Sequence, residues 1–310
     1  MVWRNTNLTS GMQAFSLAKP YFPKTKVLLA LFEEVYGMGW ELVCGPNFGG
    51  NQVDWPCFVF KKLKSPPEAA PQLVMAAVKD QNIPGKLCLS ATGVALQEVT
   101  EGIFRELQKT QGNDGIKVQK DEYDEDHGQV IRNTSITSGG MTLWAKYFPK
   151  NESVLAITRA MGEKGYKVAG CPMFGGMGAS WPCFLWHYTG VTYETAIVAV
   201  KDQGMIGKVA VGGVESDVAE KLLAAFKELS CPDATLLKDD FDQDFSFSIK
   251  HTKMTTGNAC CSIQNSWWPY GYPMEVICGE LGKLGWTPAG APSFGSLQTS
   301  WPVVVFQRPK

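Results

Sequence analysis

The chain repeats itself, and a fixed internal period defines the building unit before any other feature is weighed. Arg4-Asn5-Thr6 recurs as Arg132-Asn133-Thr134, and Tyr21-Phe22-Pro23-Lys24 as Tyr147-Phe148-Pro149-Lys150. Gly45-Pro46-Asn47-Phe48-Gly49-Gly50 aligns with Cys171-Pro172-Met173-Phe174-Gly175-Gly176 and with Ala291-Pro292-Ser293-Phe294-Gly295-Ser296. Trp55-Pro56 matches Trp181-Pro182 and Trp301-Pro302, at offsets of 126 and then 120 residues. This first module type occupies 1–62, 129–188 and 249–310. A second type occupies 66–128 and 190–248, where Lys79-Asp80-Gln81 before Gly85-Lys86 matches Lys201-Asp202-Gln203 before Gly207-Lys208. The chain therefore reads as repeat 1 (1–128), repeat 2 (129–248) and a half repeat (249–310).

Periodicity predicts one helix per module. Leu28/Leu31/Val35, Val154/Ile157/Met161 and Met274/Ile277/Leu281 fall at i, i+3 and i+7, one face of a helix. Gly39, Gly165 and Gly285 follow, each before an aromatic, which is the signature of a glycine C-cap. Leu96, Ile103, Phe104 and Leu107, with Val218, Ala225, Phe226 and Leu229, mark the second-type helices. Apolar runs at Cys57–Phe60, Cys183–Trp186, Val303–Phe306, Lys86–Leu89 and Lys208–Val211 read as strands. The expected fold is α+β: about five strand–helix–strand–strand modules, with helices on one side of the sheets. On this count the last first-type module lacks a second-type partner. The expectation is closure, with 249–310 packing back on the N-terminal copy, or else an edge open to another chain.

Composition excludes several function classes. With 29 basic and 30 acidic residues there is no cationic excess for nucleic acid. No run approaches the ~18 apolar residues of a membrane span. The nine cysteines are odd in number and form no CxxC pair, so reduced thiols and a cytoplasmic location are expected. No secretory leader is recognisable at the start, and the Asn-x-Ser/Thr sites at Asn7, Asn133 and Asn151 are expected to be idle.

Three patterns are candidates for chemistry. The repeated Phe-Gly…Trp-Pro loops offer Phe48/Trp55, Phe174/Trp181 and Phe294/Trp301 as stacking platforms for a flat or sugar-like ligand, or as core. Lys79 with Asp80, and Lys201 with Asp202, are polar candidates for acid–base work or solvated turns. Asp240, Asp242 and Asp244 place oxygens at alternate positions like the opening of a calcium loop, without the glycine and glutamate that complete one. Edge-strand charge is the competing reading for these aspartates and for the similar Glu122/Asp124/Asp126.

Catalytic constellations are missing from the sequence. His127, His187 and His251 occupy unrelated places, and no HExxH, P-loop or GxSxG occurs. Cys57 and Cys183 sit in apolar strands, where structural thiols fit better than nucleophiles; Cys260-Cys261 is an unmatched vicinal pair. The sequence thus favours a non-enzymatic repeat protein with no cofactor, acting as a structural or protein-interaction module with a protein partner or a second copy. The alternatives are a multivalent small-molecule or carbohydrate binder and an enzyme with its site at a module junction.

Overall fold

Glycines with positive φ close the three first-type helices: Gly39 (84°), Gly165 (87°) and Gly285 (82°). A residue with a Cβ would be strained in this left-handed region, so the sequence letter and the helix end coincide. The structure, a computed structural model, describes residues 9–10, 22–45, 47–50, 53–65, 67, 69–79, 85–112, 115–120, 128–138, 148–176, 179–201, 207–229, 231–238, 246–252, 254–256, 268–269, 271–296 and 299–310, with backbone alone in most of the hairpin arms and short bridges.

The chain begins with β1 (Thr9–Ser10), β2 (Phe22–Pro23), α1 (Thr25–Gly37), β3 (Trp40–Cys44), β4 (Asn47–Gly50), β5 (Val53–Pro56) and β6 (Val59–Lys62). Then come β7 (Leu73–Lys79), β8 (Lys86–Thr92), α2 (Leu96–Gln111) and β9 (Lys117–Lys120). Residues 129–188 contribute β10 (Gln129–Arg132), β11 (Thr137–Ser138), β12 (Phe148–Pro149), α3 (Asn151–Glu163), β13 (Tyr166–Gly170), β14 (Met173–Gly176) and β15 (Ala179–Tyr188). They are followed by β16 (Tyr193–Lys201), β17 (Lys208–Gly212), α4 (Ser216–Leu229), β18 (Thr235–Lys238) and β19 (Ser246–Lys250). The chain ends with β20 (Thr255–Thr256), β21 (Trp268–Pro269), α5 (Gly271–Lys283), β22 (Thr287–Gly290), β23 (Ser293–Ser296) and β24 (Thr299–Pro309).

The fold is mixed α+β with antiparallel sheets. One sheet runs β9-β10-β8-β7-β15-β13 and another β18-β19-β17-β16-β24-β22, the same order of corresponding strands. A third links them: β14 and β23 pair with β15 and β24, and Ala179 meets Ser296. The register shifts between Leu42 and Cys44, between Val168 and Gly170, and between Pro288 and Gly290, again 126 and 120 residues apart. A bulge bends a strand locally, so its recurrence gives all three pairs the same kink.

Three expectations need correction. Helices cover both faces of the sheets. Leu73, Met75 and Ala77 of β7 pack with Leu28, Leu29 and Phe32 of α1, while Val74, Ala76 and Val78 join α2 and α3. Ile197 and Ala199 of β16 face the same middle layer, and Ala196, Val198 and Val200 pack with α4 and α5. The layers run α1, sheet, α2 with α3, sheet, α4 with α5. Second-type modules read strand–strand–helix–strand, because the unbroken apolar run of β7 is a strand buried on both faces. Finally, the last first-type copy does have a second-type neighbour: β24 pairs with β16 over Tyr193–Ala199. No helix of the described residues is long and apolar enough to cross a membrane.

The repeated Arg-Asn-Thr has a backbone explanation. Asn133 and the matching His251 adopt positive φ (60° and 69°), and the next residue donates its N–H to a glycine carbonyl: Thr134 to Gly85 and Thr252 to Gly207, both at 3.1 Å. Asparagine is among the few side chains that tolerate this region.

Candidate functional site

A polar cleft of about 390 Å³ lies between α2, α3, β16, the start of α4 and the C-terminal strand. Glu106 of α2 and Arg159 and Glu163 of α3 form one wall; Tyr193, Glu194 and Thr195 of β16 form another. The turn from β17 into α4 (Gly213–Glu215) closes it, with Trp286, Arg308 and Lys310 at the other side. Antiparallel pairing sets Glu194 opposite Arg308, and the strand alternation sends Thr195 to the α3 face.

Arg308 is the most constrained charge in the cleft. Its Nε donates to Glu194 Oε2, its Nη1 donates to Leu284 O at 3.1 Å, and its guanidinium lies 4.5 Å from the Trp286 ring centre. A planar fork suits all three contacts at once. Arg308→Ala should lower stability by about 1–2 kcal/mol, from a cation–π contact and a half-exposed ion pair, as read by urea denaturation.

Thr195 is 2% exposed, and its Oγ1 has no hydrogen-bond partner among the described residues. Arg159 makes no ion pair among them either, since its α-helical position leaves the guanidinium at the exposed rim. The cleft thus offers a guanidinium and carboxylates for a small polar molecule, while the Thr195 hydroxyl itself is buried. It presents no nucleophile–base pair among the described residues, and no group of three His, Cys, Asp or Glu able to hold a metal.

The candidates named from sequence lie elsewhere. Lys79 is 1% exposed and stands in a cross-strand row, Lys79–Lys86–Arg132–Lys117, formed by successive partners of four strands. The second sheet carries Lys201–Lys208–Lys250 in the same register. Directly opposed like charges repel, so both rows need anions nearby. Lys79, Lys86, Arg132, Lys208 and Lys250 are each engaged in at least one further interaction. Asp80, Asp202, Asp240, Asp242 and Asp244 lie outside the described residues, as do Glu122, Asp124, Asp126 and Cys260-Cys261. The side chain of Lys201 does too.

The aromatic loops are hairpins in which Phe48 faces Trp55, Phe174 faces Trp181, and Phe294 faces Trp301 across the strands. Phe174 and Phe294 are buried, their rings taken up by packing; the side chains of Phe48, Trp55, Trp181 and Trp301 lie outside the described residues. The cleft was not legible beforehand, because Glu194 and Arg308 share no local motif.

Burial sets the titration behaviour. Half-buried His187 packs edge-on to Tyr36 at 5.3 Å, and burial lowers its pKa against the opposing pull of Glu41. Burial raises the Cys171 and Cys183 thiols well above the ordinary 9.0, and Tyr166 to about 12. A thiol held neutral this way is a poor nucleophile. The unfolded state binds more protons at His187, so that contribution is full above pH ~6.5 and is lost as pH falls below it. The thiols act oppositely, stabilising below pH 9 and losing that contribution as pH rises. Urea midpoints across pH should therefore fall at both ends, and His187→Phe should flatten the acid limb.

Comparison with protein-family models, curated proteins and solved structures finds no match.

Proposed function

We propose that this chain is a non-enzymatic repeat protein, an open row of first-type modules joined by second-type ones, that works as a structural or protein-interaction module in a reducing compartment. What carries this reading is the division of labour among side chains. What recurs is largely framework: the C-cap glycines, the bulge positions and the left-handed conformation before Thr134 and Thr252, while the recurring Lys79 and Lys201 stand in cation rows within the sheets. The charged lining of the cleft does not recur. Thr195 corresponds to Leu73, Glu194 to Gln72, and Arg159 to Glu33 and Gly279.

The open row is supported by a repeated contact. A Cβ at Gly170 would lie 3.3 Å from Gly45 N, and one at Gly290 would lie 2.9 Å from Val168 Cγ1 and 2.5 Å from Cys171 Sγ. Copy two thus sits on copy one as copy three sits on copy two, a head-to-tail relation that extends and does not need to close.

Turnover by the purified protein that disappears on changing Lys79 or Arg159, with the fold intact, would overturn this reading. Its absence across ester, phosphoester, peptide and glycoside substrates is the expected result. A second reading, a small polar ligand held in the cleft, is favoured by the exposed Arg159 guanidinium set among the carboxylates of the lining. It predicts a thermal shift with amino acids or sugar phosphates that Arg159→Ala abolishes.

A further inference from the structure

We infer that the first module carries a docking surface, on the outer edge of β6 and the adjoining face of α1, for a strand-plus-helix unit of the second type supplied by another polypeptide. This rests on the interaction-module reading above and names its surface and partner.

The same surface occurs three times, and this chain covers it twice. In the second copy β15 has β13 on one edge and β7 on the other; in the third, β24 lies between β22 and β16. β6 pairs with β3, and among the described residues no strand takes its other edge. Leu63 N–H donates to Gly39 O at 2.8 Å, as Thr189 N–H donates to Gly165 O at 2.9 Å. Alternation along the strand therefore turns the Lys62 N–H outward. The matching Tyr188 N–H donates to Gln72 O, 3.0 Å away in the second-type module.

Apolar burial follows the same division. Trp40 is 40% exposed where Tyr166 is 3% and Trp286 4%; Val59 is 45% exposed where Leu185 is 1% and Val305 0%. Val43, on the β3 bulge, is 50% exposed. The covering helices are α2 on α3 and α4 on α5; on α1 the Val27 side chain at that level is exposed. Val2-Trp3-Arg4-Asn5-Thr6 also carries four of the five letters of 130–134, where β10 zips onto β8 of the covering module.

The chemistry of the occupant can be read from the filled copies. It presents a strand with a run of consecutive apolar residues, such as Ala196–Val200 within Tyr193–Lys201, followed by an amphipathic helix, and adds by main-chain pairing. At the position of Lys62 the third copy has Arg308, which is met by Glu194, so the partner strand places an acid opposite Lys62. A second copy has no such strand to offer: β7 already lies between β8 and β15, and β16 between β17 and β24.

The test uses the full chain and a synthetic peptide of the sequence Tyr193–Lys201. Binding is expected by titration, with slowed hydrogen exchange at the outward amides of Phe60 and Lys62. Lys62→Pro, which removes both the outward donor and the ammonium, should weaken binding at least tenfold. Lys62→Glu should weaken it several-fold, and a peptide with Glu194→Lys should restore it. Protection of the outward Phe60 and Lys62 amides before any peptide is added would overturn the inference while leaving the module reading intact. Binding indifferent to both Lys62 variants, or no binding at all, would overturn it equally. Self-association of the chain that Lys62→Pro abolishes would also do so, by making a second copy the occupant.

Discussion

Trp186→Ala is expected to destabilise the protein by about 3–5 kcal/mol, the range for truncating a large aromatic in a core that cannot collapse around the gap. Trp186 lies on β15, fully buried, stacked on Phe184 with ring centres 5.4 Å apart and planes 13° apart. Its strand is held by β13 through Val168 and by β7 through Val74. Two sheets and two helices enclose the middle layer, so a void there has no surface to relax toward. Trp186→Phe should be much milder. The indole Nε1 has no hydrogen-bond partner among the described residues, so its loss breaks no bond. The matching positions in the other copies, Phe60 and Phe306, already hold phenylalanine. Urea denaturation followed by far-ultraviolet dichroism measures both variants. An alanine variant within 1 kcal/mol of the parent would mean that the middle layer is not packed as described.

The elements that were legible from sequence are those whose signal is local. The helices α1, α3 and α5 follow from an apolar face spaced i, i+3, i+7 and a glycine that can take positive φ. The strands after each Trp-Pro follow from β-branched and aromatic runs. β7 and β16 were missed because a strand buried on both faces loses its period-two alternation; the run Leu73–Val78 was the available signal. The two-sided covering of the sheets followed from the same feature and was missed with it. The cleft depends on register: Glu194 meets Arg308 across 114 residues of chain, and only strand pairing brings them together. Lys79 and Lys201 were legible as a recurring pair, but the cation rows they stand in became visible only when four strands were aligned.

Gly207→Ala should cost at least about 3 kcal/mol, the upper part of the range for overpacking, because the clash is with backbone rather than with a side chain that can swing away. A Cβ at Gly207 would fall inside the van der Waals shell of the Thr252 carbonyl oxygen and 2.7 Å from its carbon. Neither segment is free to yield. Thr252 N–H donates to Gly207 O at 3.1 Å, His251 before it is locked at φ 69°, and Lys250 is the cross-strand partner of Lys208. The strain would therefore pass into β17 and β19, two adjacent strands of the second sheet. The control is Gly279→Ala in α5, where a Cβ would meet nothing within 4 Å; helix propensity alone predicts a gain of about 0.5–1 kcal/mol. Gly85 accepts the same hydrogen bond from Thr134, so Gly85→Ala is the matching variant in the first sheet. Hydrogen exchange separates the two: Gly207→Ala should accelerate the amides of 208–212 and 246–250 before those of 86–92. A Gly207 variant as stable as the parent would show that chain segments 207 and 252 are not apposed, and the recurring left-handed turn would lose its explanation.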